Sequence, residues 1–212
     1  MKPNKILISL VVACMSAATG FAQFGVKTNL VGWATTTTNL GVEFATSDHS
    51  TLQLMGYFNP WSFPNDRHFR FWTAQPEYRY YFCSAMNGHF IGVHALGGQY
   101  NAKKLNFPLR ALTWGSTYDS NANFPDSDHK GGWPDIMGKN SGRHVEGWYI
   151  GAGITYGYQW ILSKHWNFEA SIGVGYVYSP LKYIGRCQQC IDKRRLSYVG
   201  PTNAQLSFMY IF

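Results

Sequence analysis

Outside its first two dozen residues the sequence has no apolar run long enough for a membrane-crossing helix, which needs roughly 20 such residues. If the mature chain enters a bilayer, it enters as strands. Charge is also scarce: Asp, Glu, Lys and Arg make up 14% of the chain, which argues against a disordered polypeptide. Basic side chains are dispersed except at Lys193-Arg194-Arg195, so no nucleic-acid partner is expected. That short cluster suits a polyanionic surface such as lipopolysaccharide equally well, and the formal charge of +7 includes Lys2 and Lys5 of the expected leader. There are four cysteines and one CxxC, without the second ligand pair that a zinc site normally needs. No Gly-rich turn leads into a helix, so a phosphate loop is not expected.

The chain is rich in aromatics (17%) and contains 22 glycines. That mixture suits short strands better than a helical bundle, because helices disfavour Gly. Residues 1–22 read as a cleaved signal peptide: Lys2 and Lys5, an apolar stretch from Ile6 to Ala18, then Gly20-Phe21-Ala22. The mature chain is expected to start at Gln23. Val11-Val12-Ala13-Cys14 is a competing lipoprotein box, but Val replaces the usual Leu and apolar residues continue past Cys14.

From Phe24 onward apolar residues alternate with polar or small ones, the period-2 pattern of strands with two different faces. Between Trp148 and Leu162, one face carries Trp148, Ile150, Ala152, Ile154, Tyr156, Tyr158 and Trp160. The other carries Tyr149, Gly151, Gly153, Thr155, Gly157 and Gln159. Residues 166–178 repeat the pattern, and weaker segments lie at 24–30, 40–45, 52–58, 75–82, 91–96 and 205–212. That predicts eight strands. The two clearest match the ~9–11 residues a tilted strand needs to span a bilayer.

The intervening segments sort by parity. Ser47–Ser50, Cys83–Gly88 and Ser163–His165 are tight, whereas 59–68, about 100–146 and 179–197 are long and polar. Trp33, Trp61, Trp72, Trp148, Trp160 and Trp166 lie near expected strand ends, where amphipathic rings sit at lipid headgroups. The terminal Phe212 resembles the C-terminal signal of outer-membrane barrels. The expected fold is all-β: an eight-stranded antiparallel up-and-down transmembrane β-barrel with short periplasmic turns and long outward loops. It forms a single outer-membrane domain over 23–212, with a long loop at about 101–143 that has room for a short hairpin.

Several segments resemble an uncharacterised DUF-type family of small outer-membrane barrels from Bacteroidetes. They are Phe24–Leu30, Asn39–Glu43, Gln75–Tyr80, Gly88–His94 and Tyr156–Trp160. The resemblance implies an outer-membrane barrel, in some cases associated with fimbrial or surface-assembly gene clusters, and brings no catalytic residues.

Candidate chemistry is sparse. Cys187 and Cys190 are expected to form a disulfide that stiffens an outward loop, with metal binding and redox activity as alternatives; Cys83 is expected to be a lone thiol. Lys27, Glu43, Glu77, Arg79 and Glu169 all fall on the inward face. Glu43 and Glu77 could act as acid and base, but a salt-bridged plug is favoured: eight strands enclose a lumen that side chains just fill, and charges there must pair. On this account the barrel is no porin. His89, His94, His129 and His144, with Asp119, Asp126, Asp128 and Asp135, are the residues from which a metal or lipid-hydrolase site would be drawn. Asp126-Ser127-Asp128-His129 is the only local cluster. The inward glycines Gly151, Gly153, Gly173 and Gly175 suit the taper of a barrel.

The expected role is non-enzymatic, with no cofactor and no metal. The long outward loops would bind or anchor an envelope or surface component, in its most concrete form a fimbrial protein, beside outer-membrane lipid and lipopolysaccharide. An outer-membrane enzyme acting on lipid A, and a soluble periplasmic barrel holding a small apolar ligand, are the alternatives.

Overall fold

Alternation along each strand becomes two-sidedness around a closed sheet. The computed structural model describes residues 23–63, 67–103, 117–119, 144–184 and 191–212. Its elements are β1 (Phe24–Asn29), α1 (Leu30–Ala34), β2 (Thr38–Ala45), β3 (Ser50–Asn59), β4 (Ser62–Phe63), β5 (Arg67–Tyr81), β6 (Gly88–Lys103), β7 (Thr117–Asp119), β8 (His144–Ile161), β9 (Trp166–Ile184) and β10 (Ile191–Ile211). β1, β2, β3, β5, β6, β8, β9 and β10 pair antiparallel in that order, and β1 closes the circle by pairing with β10. The eight-stranded up-and-down barrel read from the sequence is therefore the observed fold. Closure removes the free sheet edges that an open sheet of this size would expose. It is fixed at the chain end, where Phe212 N–H donates to Phe24 O (3.0 Å) and the two rings stack 4.5 Å apart.

Residues 46–49, 82–87 and 162–165 form the short turns at one end, beside the start of β1 and the end of β10. Met86 adopts φ +62 in its turn and is buried, with its carbonyl held by Asn167 Nδ2 (2.9 Å). It stoppers the lumen at that end.

The opposite end departs from the sequence expectation. β5 begins at Arg67 rather than near Gln75, β6 runs on to Lys103, and β8 starts at His144. Ser179 to Ser197, expected as a loop, is largely strand: β9 continues to Ile184 and β10 starts at Ile191, with Ser179 opposite Leu196. Inside the expected 101–143 loop, Thr117–Asp119 pairs with Arg195–Ser197 of β10. Leu30, expected to end a strand, opens a helical turn. Asn29 causes the switch by capping it: its Oδ1 accepts from Val31 N–H at 3.0 Å.

The wall is consequently uneven. β1 and β2 stop low, while β5, β6, β8, β9 and β10 rise well above them. Pro201 and the register shift between Pro201 and Asn203 lie on β10 above its last pairing with β1, Ser207 opposite Asn29. A residue without an N–H is tolerated on such an unladdered side.

The outer surface carries an apolar band of Leu40, Leu54, Val93, Ile154, Ile172 and Val174, all exposed. Trp148 and Trp160 bracket it on β8, twelve residues apart. At a rise of ~3.3 Å per residue and a tilt of ~40°, that separation is about 30 Å. Near the short-turn end, Trp160 and Phe168, Phe168 and Phe208, and Trp166 and Tyr210 form an outward aromatic girdle. At the other end Trp72 and Trp148 lie within strands rather than at their tips.

Candidate functional site

Inward positions are set by parity: Lys27 on β1, Glu43 on β2, Glu77 and Arg79 on β5, Glu169 on β9. All five side chains are fully buried, and they form one network. Lys27 Nζ lies 2.5 Å from Glu43 Oε2 and 2.7 Å from Glu169 Oε2. Arg79 grips Glu169 with both terminal nitrogens (2.7 and 2.9 Å), Glu77 through Nε (2.9 Å), and approaches Glu43 at 3.4 Å. The planar fork of an arginine meets a carboxylate in this way and a lysine does not.

Neutral donors satisfy the remaining lone pairs. Thr51 Oγ1 donates to Glu43 Oε1 (2.6 Å), and Ser171 Oγ to Glu169 Oε1 (3.1 Å). The Tyr81 hydroxyl sits 2.8 Å from Glu43 Oε1 and 2.6 Å from Gln159 Oε1. The Arg79 guanidinium also lies over the Phe90 ring, 4.4 Å from its centre. Glu43 and Glu77 are bound on either side of Arg79 with no exposed surface, so the acid–base pair contemplated from the sequence has no path to a substrate.

Above this network, toward the long-loop end, comes a polar shelf. His94 Nδ1 contacts Thr155 Oγ1 and Nε2 contacts Thr202 Oγ1, both at 2.8 Å. Asn203 Nδ2 links Thr155 (3.4 Å) to Glu77 Oε2 (3.3 Å). The imidazole fits because of two glycines: a Cβ at Gly153 or Gly173 would come within 2.8 or 2.9 Å of His94 Cε1.

Above the shelf the lumen opens into a cavity of about 260 Å³. Phe69 and Phe71, Leu96, Val177 and Leu196 supply its apolar wall, and Thr202 belongs to its lining. Tyr100 and Tyr149 turn their rings to it while their hydroxyls are occupied elsewhere, by Ser179 Oγ (3.0 Å) and by Thr73 Oγ1. Among the described residues the lumen is thus filled in its short-turn half. Sequence reasoning found the charged half and missed the cavity, because its lining residues alternate in the sense opposite to the membrane-type pattern.

The other candidates are not brought together. His89 points outward, with its Nδ1 2.7 Å from Tyr156 OH, whereas His94 points inward from the same strand. One metal or catalytic centre cannot use both. Asp119 lies in β7 and His144 begins β8. Asp126, Ser127, Asp128, His129, Asp135, Cys187, Cys190, Cys14 and the leader 1–22 lie outside the described residues. Cys83 is a free, exposed thiol. Among the described residues no group of three His, Cys, Asp or Glu is placed to hold a metal ion.

No curated protein matches the sequence. A solved structure, the outer membrane protein OprG from Pseudomonas aeruginosa, aligns over 90% of this chain and 95% of its own, with 10% identity and a TM-score of 0.44. Residues 6–212 match the family described as protein of unknown function (DUF3575), and the chain belongs to that family.

Proposed function

We propose that this chain is an outer-membrane barrel that conducts no solute and acts by recognition at its outward, long-loop end. One observation carries the proposal: the polarity of the wall is that of a protein in lipid. Ile150, Ile154, Ile172 and Val174 are 51–63% exposed on one face, while Lys27, Glu43, Arg79 and Glu169 are at most 1% exposed on the other. A barrel in water would place these groups the other way round. The apolar band, its two aromatic borders and the short turns gathered at one end support the same placement, with those turns in the periplasm. The filled charged half argues against a pore.

Binding at the outward end then engages an envelope or surface component, and a fimbrial or other appendage subunit is the most specific version. The fractionation test is direct. The protein should sediment with outer membranes and resist carbonate extraction; recovery in soluble periplasm would overturn the placement. Replacing residues 120–143 by a short Gly-Ser linker should leave the folded barrel intact and abolish crosslinking to its surface partner in intact cells. Unchanged crosslinks would refute recognition through that loop.

A further inference from the structure

The cavity above the His94 shelf is a built site for which the proposed loop recognition has no use. We infer that it binds an uncharged, compact, apolar molecule of one or two rings, carrying at most one hydrogen-bonding group directed at Thr202. The inference rests on the barrel fold and is independent of any surface partner.

Size comes first. An engineered apolar cavity of about 150 Å³ accommodates benzene, and small-molecule pockets generally begin near 300 Å³. A space of about 260 Å³ has room for a second ring. Chemistry narrows the class. The wall is Phe69, Phe71, Leu96, Val177 and Leu196, with the faces of Tyr100 and Tyr149. Among the described residues no Asp, Glu, Lys, Arg or His lines it. A carboxylate, phosphate or ammonium would lose its hydration there and gain no counter-ion. Sugars would find few partners for their several hydroxyls, because three of the wall's hydroxyls are turned to partners within the wall: Tyr100 to Ser179, Tyr149 to Thr73, and Ser179 to Trp148 O (2.9 Å).

One polar handle remains. Thr202 Oγ1 contacts His94 Nε2 and, as a hydroxyl, has capacity for a further bond. Its neighbour Pro201 sits at an irregularity of the wall. At the register shift between Pro201 and Asn203, β10 has no paired strand on the β1 side among the described residues, and the helical turn α1 packs against β10 in its place. Both Pro201 and Thr202 line the cavity at that interruption of the wall. Aromatic walls, one hydroxyl on a buried shelf and a local break in the sheet together describe a receptor for a small apolar ring.

The test uses the full chain refolded in detergent, with methyl labels on Leu, Val and Ile, titrated with indole. Saturable shifts should appear at Leu96, Val177 and Leu196 and not at the outward Ile91, Ile154 and Val174, which report partition into detergent. Shifts confined to the outward methyls would overturn the inference. Val177→Trp should fill the space and weaken indole binding at least tenfold while the folded barrel keeps its fast gel migration; unweakened binding would place the ligand elsewhere. Thr202→Val should lower affinity for indole roughly two- to tenfold and leave that for indene, its isostere without the N–H, unchanged. An equal effect on both would remove the hydrogen-bonding handle. If indole binds only after residues 120–143 are deleted, a segment of this chain is the occupant and the small-molecule site is refuted.

Discussion

Arg79 holds both carboxylate oxygens of Glu169 at 2.7 and 2.9 Å, a bidentate pair that ties β5 to β9 through the middle of the barrel. Neighbouring strands are joined by backbone ladders, but these two are not neighbours. The pair is a crossbar, and its removal leaves three carboxylates facing one lysine.

Arg79→Met should therefore destabilise the barrel by about 3–5 kcal/mol, the cost of leaving buried charge uncompensated. Arg79→Lys keeps the charge and loses the fork, so it should fall between Met and the native residue. Urea titration of the refolded protein, read by loss of fast gel migration, gives both values. Equal midpoints for all three would show that the network contributes nothing to stability.

The orientation of the wall predicts an asymmetry at Ile154, 63% exposed in the apolar band. Ile154→Arg should cost about 2–4 kcal/mol in lipid vesicles if the residue lies near mid-membrane. Ile154→Leu should cost under about 1.5 kcal/mol. A harmless arginine would place this face in water.

Planar-bilayer recordings should give no steady conductance for the native protein, because Met86, Phe90 and the salt-bridged side chains fill the short-turn half. Reproducible single-channel steps from the folded monomer would contradict a sealed lumen.

Phe212→Ala removes a ring stacked on Phe24, 4.5 Å between centres. A loss of about 0.5–1.5 kcal/mol is expected in the refolded protein. Inserted protein in cells should fall by a larger factor, if the terminal aromatic also serves as an insertion signal. Quantifying both separates the packing role from the targeting role.

Gly173→Val should be costly for a different reason. A side chain there meets His94 Cε1 at 2.9 Å and Asn203 Cβ at 2.9 Å, both held in the hydrogen-bonded shelf. Overpacking of this kind costs about 1–3 kcal/mol. A neutral result in the same urea titration would show that the shelf is loosely held.

The strand count, the inward assignment of Lys27, Glu43, Glu77, Arg79 and Glu169, and the short turns were legible in the sequence. Between the aromatic borders, outward side chains are apolar and inward ones polar or small, so hydropathy reports direction. Above the border the relation inverts. On β5, Arg70 is exposed and donates to Ser62 (2.7 Å), while Phe69 and Phe71 line the cavity. On β6, Gln99 is exposed while Leu96 and Tyr100 face in. With Ser179, Pro180, Ser197 and Pro201 in the ladder, the upper parts of β9 and β10 look like loop in the sequence. The helical turn α1 escaped notice because Asn29 and Leu30 continue the alternation of β1 until the cap diverts the chain.

The β6–β8 ladder runs unbroken from Gly88 opposite Gln159 to Lys103 opposite His144. The two ends of the forty-residue insertion between them are therefore pinned side by side, whatever it contains. Because closure entropy grows only as the logarithm of length, by about 0.6 kcal/mol per doubling, mutation can lengthen, shorten or rewrite that stretch outside Thr117–Asp119, which pairs with β10, almost without penalty to the scaffold. On the proposed outward placement of this end, selection would then act on an interchangeable cassette, while the clamp beneath it stays under a separate and much stricter constraint.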